Sequence, residues 1–180
     1  MSKPDEPWIK SVRNSKELVI RSEAESGVWT GVLQECVPIF NRIALKAMSY
    51  KIAGAEDKAN VVLKIAGSGK DDPEISGGTH GKTRRGKQVS GRGGVGIIEV
   101  EIFLPAQPSG VSKNMILMIV LHELGHAAGL EEHTSDGVMM TVPNDQQGKI
   151  SATKTSKKMP PFFFTNKTVN RLRTIWKTAK

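Results

Sequence analysis

The chain is short of several things, and each shortage closes off a class of protein. It has one cysteine, Cys36. No disulfide can form within it, so a disulfide-stapled secreted scaffold is excluded. Its longest strongly apolar run is the seven residues 115–121, MILMIVL. A membrane-spanning helix needs about 20, so no span is expected. The opening residues MSKPDEPW contain neither an apolar core nor a small-residue cleavage site, so a standard secretory leader is not expected either. Acidic residues are missing altogether from 146–180, a segment with nine Lys and Arg. The formal charge of +8 therefore belongs to that segment, and the first 145 residues sum to about −1, the difference between +8 and +9. Such a basic segment suits an anionic partner, whether nucleic acid, an anionic surface or an acidic protein, or else a solvated face that aids solubility.

What is present fits a soluble globular protein. The 180 residues are 38% hydrophobic and 24% charged. That is enough chain to bury a core in one domain without help from an oligomer, and a monomer is expected.

Residues 1–15 are polar, hold two prolines and show no period, which reads as a loose N-terminal tail. A single domain is expected over 16–180. Its first strand is expected at 16–21, KELVIR. Over 31–49 the apolar residues Val32, Leu33, Cys36, Phe40, Ile43, Ala44, Ala47 and Met48 recur at helical spacing. Pro38 falls inside that stretch and removes one backbone donor, so the helix is expected to kink or restart there. A buried strand is expected at 60–66, NVVLKIA. Residues 67–94 hold nine of the 18 glycines together with Arg84, Arg85, Lys87 and Arg92. Glycine at that density disfavours order, and a basic loop or a long hairpin is expected. Its cationic cluster has no interleaved aromatic for stacking a base, which weakens a nucleic-acid reading. His80 lies there as a lone loop histidine. Residues 95–104, VGIIEVEIFL, read as a strong strand with Glu99 and Glu101 on one face. Ser112 offers an N-cap to a helix running to about Ala128. A last helix is expected at about 168–178, with Val169, Leu172, Ile175 and Trp176 as its apolar stripe and Thr165 or Asn166 as its cap. The order of elements gives an α+β fold, an α/β sandwich.

The chemistry concentrates in His122-Glu123-Leu124-Gly125-His126. On a helix, the i, i+4 spacing sets both imidazoles on one face, about 5–6 Å apart at Cβ. Two nitrogens can then reach one zinc ion at about 2.0–2.1 Å. Glu123 points beside such an ion, where it can take a proton from a water. Three of the four histidines fall between His122 and His133. Gly129 tolerates positive φ, so it can end the helix and turn the chain back.

The stretch HELGHAAGLEEHTSDGVMM resembles the metzincin zinc peptidases, the matrixin-like members above all. The resemblance is specific over 114–140 and looser over the element order of 16–176. It implies a twisted mixed sheet with an active-site helix, a Met-turn and a C-terminal helix. It also implies one catalytic Zn2+ held by His122, His126 and a third residue. Glu123 would be the general base, and Met139 would be the Met-turn residue, with Met140 as the alternative. The sequence departs from the family spacing at the third ligand. Glu132 stands where the signature has histidine, and His133 comes one residue later. His133 is the favoured ligand, with Glu132 and then Asp136 as alternatives. No Glu follows Glu132, which excludes peptidase classes that take a distant glutamate.

The expected function is therefore a zinc-dependent endopeptidase acting on a peptide or protein substrate. Two other readings compete with it. One is a metal-stabilised binding module that uses the basic segment 146–180, and the other is a zinc hydrolase of a non-protein amide. Cys36 reads as a small core residue rather than a cap on the metal. The run Pro160 to Phe164 reads as a pocket wall or as core beneath the last helix. The missing leader and pro-segment suit a bacterial or phage protein, either cytoplasmic or exported by a non-classical route.

Overall fold

The computed structural model describes residues 8–67, 81–91, 94–106, 111–134, 136–139 and 162–177. Among these, α1 (Lys10–Ser15) leads into β1 (Glu17–Ser22), a short 3-10 turn at Gly27–Trp29 and α2 (Val32–Ile43). Strands β2 (Ser49–Ile52), β3 (Val61–Ile65), β4 (Lys82–Gly91) and β5 (Gly94–Leu104) follow. Helices α3 (Lys113–Ala127) and α4 (Asn166–Ile175) close the described chain. The sheet order is β2-β1-β3-β5-β4, parallel throughout except that edge strand β4 runs antiparallel to β5. The mixed α+β architecture agrees with the reading of the sequence.

Strand alternation explains the layers. Leu18 and Ile20 of β1, Val61 and Leu63 of β3, and Val100, Ile102 and Leu104 of β5 are all buried on one face. They join α2, α3 and α4 in one apolar cluster. Helix α3 is buried almost all round, from Met115 through Leu121 and on through Leu124 and Ala127. A helix with no solvated stripe is a core element, so α3 is the axis on which the rest packs. The opposite sheet face is charged. There the Glu101 carboxylate lies 2.7 Å from Lys64 Nζ and 2.6 Å from Arg84 Nη2.

The capping residues act as expected. Ser112 Oγ accepts from Met115 N at 3.2 Å, and Thr165 Oγ1 accepts from Thr168 N at 3.2 Å. Val169, Leu172, Ile175 and Trp176 are buried, as their spacing implies.

Two expectations need correction, and two are narrowed. Residues 8–15 are not a loose tail: Trp8 is buried and bridged to Ile97, and α1 follows it. At Pro38, of the kink and the restart expected, the restart is excluded, because α2 is one helix across it. The expected helix over 31–49 stops at Ile43, because Ala44 to Ala47 form a tight turn and β2 begins at Ser49. Asn41 pins that strand to the helix, its side chain bonding both the N–H and the C=O of Tyr50. Finally, of the loop and the long hairpin expected in the glycine-rich segment, 82–91 takes the hairpin: it is a strand paired antiparallel with β5 and interrupted by a register shift at Gly86. The remainder of the glycine-rich segment (68–80, with His80) and the basic stretch 141–161 lie outside the described residues. No helix among the described residues is long and apolar enough to cross a membrane.

Candidate metal centre

The end of α3 builds the site. Gly129 takes φ +105° and donates its N–H to His126 O at 2.9 Å, while Leu130 N reaches Gly125 O at 3.2 Å. This pair of reversed bonds is the glycine-terminated helix stop expected from the sequence. Carbonyls at the helix end also accept from side chains far along the chain; those of Ala127 and Ala128 are past the last helical bonds, whereas that of Leu124 already takes Ala128 N. Tyr50 Oη donates to Leu124 O at 2.7 Å, Trp8 Nε1 to Ala127 O at 2.9 Å and Trp176 Nε1 to Ala128 O at 3.0 Å. The chain's one tyrosine thus has a structural role here, and burial pushes its phenol well above the usual value.

Three imidazoles converge on the turn after the helix. His122 Nε2 and His126 Nε2 are 3.0 Å apart, and each lies 3.2 Å from His133 Nε2. Two of the rings are held from behind by groups that can only accept. His122 Nδ1 donates to Val138 O at 2.8 Å and His126 Nδ1 to Leu130 O at 2.7 Å. With the proton on Nδ1, each neutral ring turns a bare lone pair at Nε2 toward the other. Two acceptors 3.0 Å apart repel unless a cation lies between them. Three nitrogens around one tetrahedral zinc ion, each bonded at about 2.0–2.1 Å, stand about 3.3 Å apart. The donor set and its spacing therefore fit a single cation bound by His122, His126 and His133. Burial, followed by the nearby charges of His133 and Arg85, holds His126 below the ordinary histidine range, although its bond to Leu130 opposes this. This direction favours the neutral ring, the form that binds a metal.

Glu123 is 5% exposed. Its carboxylate accepts from Thr83 Oγ1 at 2.6 Å. Burial pushes its pKa up to about 7, against the opposing pull of Thr83. The start of β4 lies directly on it: a Cβ added to Gly81 would fall 2.8 Å from Glu123 Cγ and 2.9 Å from Oε1. Behind the site, Met139 is buried with its sulfur against Gly125, so closely that a Cβ there would collide with Sδ. Met139 O also accepts from Thr134 N at 2.8 Å, which ties the chain after His133 to the segment carrying the methionine.

Each residue singled out in the sequence has a definite place. His122, His126 and His133 come together, and Glu123, next along α3 from His122, is buried against Thr83 and Gly81. Glu132 turns away to Arg171 of α4, with Lys167 at 3.9 Å. Asp136 is exposed and caps its own loop, accepting from Gly137 N at 2.7 Å. Met140, Pro160 and Pro161 lie outside the described residues. Phe164 packs edge-on against Phe40 in the core. Cys36 is buried between α2 and α3, its Sγ 3.7 Å from Leu117 O, and burial together with Glu35 pushes its thiol up to about 12. It is a core thiol with no reach to the site. Nothing in the sequence pointed to Thr83, Gly81 or Arg171, and Arg85 stood out only as one of a basic cluster. They belong to an edge strand and a helix about 40 residues from the motif, and nothing local ties them to it. No family model matches the chain, and no curated protein matches it.

Proposed function

We propose that this protein is a zinc-dependent endopeptidase in which His122, His126 and His133 hold the ion and Glu123 is the general base. One observation carries the reading: three Nε2 atoms within 3.2 Å of one another, two of the rings fixed by acceptor-only carbonyls, on a helix whose next residue after His122 is a buried glutamate. Three protein ligands leave a coordination position open, which distinguishes catalytic from structural zinc sites. When bound, the ion supplies a Lewis acid that polarises a carbonyl and acidifies a water.

The residues supply the rest. Glu123 follows His122 on α3 and is not one of the clustered ligand groups, and its carboxylate is bonded to Thr83. Thr83 holds that carboxylate in one orientation. The Glu123 carboxylate takes the water proton and delivers it to the leaving amine. Met139 and Gly125 fix the floor under the ligands. Edge strand β4 starts over Glu123 and offers backbone groups to an extended chain. That favours a polypeptide substrate over a small amide, because strand addition uses main-chain bonds along several residues.

The test is zinc content and cleavage of unstructured polypeptides by the wild type and Glu123→Ala. The variant should keep one zinc per chain and lose about 10²–10⁴-fold in turnover. Undiminished cleavage by Glu123→Ala would remove the mechanism, and a wild type that takes up no zinc would remove the site.

A further inference from the structure

The three candidate ligands are not held alike. His122 and His126 are fixed twice, by helix α3 and by a carbonyl behind each ring. His133 is the most exposed of the three, and no partner faces its Nδ1 among the described residues. A ligand with no hydrogen bond behind its ring takes its position from its backbone. That backbone carries two carboxylates immediately before the histidine, and opposite walls of the molecule hold them. Arg85 of edge strand β4 pairs with Glu131. Arg171 of α4 pairs with Glu132, with Lys167 in outer reach. All four paired groups are between one fifth and about one quarter exposed. Ion pairs so shielded from water hold geometry far better than surface pairs.

We infer that Arg85–Glu131 and Arg171–Glu132 form a two-sided brace that positions His133 for metal binding, in place of the hydrogen bond behind the ring that the other two histidines have. The brace also accounts for the residue intervening between Gly129 and the histidine: Glu132 occupies the extra position and is drawn out to α4, which swings His133 inward. Arg85 and Arg171 are then positioning residues. Each acts on the ion only through the histidine. The inference rests on the reading of the three histidines as one metal site.

The experiment measures zinc affinity of the full metal-free chain by competition with a chromophoric chelator. The proteins are the wild type, Glu132→Gln, Arg171→Gln and their double, then Glu131→Gln, Arg85→Gln and their double. Glutamine is close to isosteric with glutamate, so the two acid variants should keep the fold, and thermal unfolding of the metal-free forms checks this. Each single substitution should weaken zinc binding about tenfold, as loss of an orienting partner does at other metal sites. Each double should lose no more than its worse single, because both members act through one contact. Cobalt substituted for zinc should show a weakened four-coordinate absorption in the same variants. Affinities within twofold of wild type, or losses that simply add within a pair, would overturn the brace. A wild type that binds no zinc overturns both the brace and the metal site. Zinc binding that weakens as described, in a protein that cleaves no polypeptide, leaves the brace standing and removes only the peptidase reading.

Discussion

Glu123 is a carboxyl group held almost out of water. Its ordinary carboxyl value of 4.5 is raised to about 7 by burial. In the metal-free protein the folded state therefore holds a proton that the unfolded chain releases. Stability is unaffected by this group below pH 4.5, falls as pH rises from 4.5 to 7, and is flat above. The full effect is on the order of 3 kcal/mol. Glu123→Gln removes the titration, so metal-free variant and wild type should be similarly stable at pH 4.5 and the variant more stable at pH 8. Urea unfolding at the two pH values checks this, and equal offsets at both would refute it. A second residue-scale expectation concerns the third ligand. His133→Ala should abolish stoichiometric zinc, whereas Glu132→Ala should keep a weakened site, since Glu132 faces Arg171 and not the imidazoles. Zinc lost in Glu132→Ala but retained in His133→Ala would reverse the assignment. At Gly125 there is no room for a methyl group against Met139 Sδ, so Gly125→Ala should cost roughly 1–3 kcal/mol by overpacking.

At the scale of elements, the connection from α2 to β2 is under backbone strain. Leu45 and Lys46 take φ of 49° and 61°, and Ala47 N closes the turn on Ala44 O at 3.0 Å. Two left-handed residues in a row make a turn that favours Asn-Gly, and Leu45 is also half exposed. Leu45→Asn with Lys46→Gly should stabilise the protein by roughly 1 kcal/mol and raise Tm by about 2–4 °C, read by calorimetry. An unchanged or lower Tm would mean the turn is not strained. The same turn shows why the sequence misled at this point. Ala44, Ala47 and Met48 continue the helical spacing of α2, and nothing in Ala-Leu-Lys-Ala announces a reversal. Strand β2 has only four residues and sits at the sheet edge, where Asn41 completes its bonding. By contrast α3 was legible in full, because Ser112 caps it, Gly129 ends it and no polar residue interrupts 115–121.

In the whole molecule, α3 is held by parts of the chain that lie farthest apart in sequence. Trp8, Tyr50 and Trp176 converge on its last carbonyls. Trp8 is almost fully buried, although the composition around it reads as a tail. Trp8→Ala should cost about 3–5 kcal/mol, both from the cavity and from the unpaired carbonyl of Ala127. Chemical denaturation measures this, and a loss below about 1 kcal/mol would mean that the N-terminal segment is dispensable to the core.

The sequence by itself determined the local pieces: the helix with its two caps, the i, i+4 histidines beside Glu123, the buried strands and the stripe of the last helix. These are short-range consequences of period, capping chemistry and glycine's freedom at positive φ. It left open which of Glu132, His133 and Asp136 completes the cluster, because a one-residue offset after a turn changes the direction of every side chain that follows. Only the tertiary structure shows His133 beside His122 and His126, with Glu132 paired to Arg171 and Glu131 to Arg85. It also decided the position of β4 across Glu123 and the capping of α3 by Trp8, Tyr50 and Trp176. Such contacts join residues 40 or more apart, and their energy depends on the packed fold rather than on any pattern within one segment.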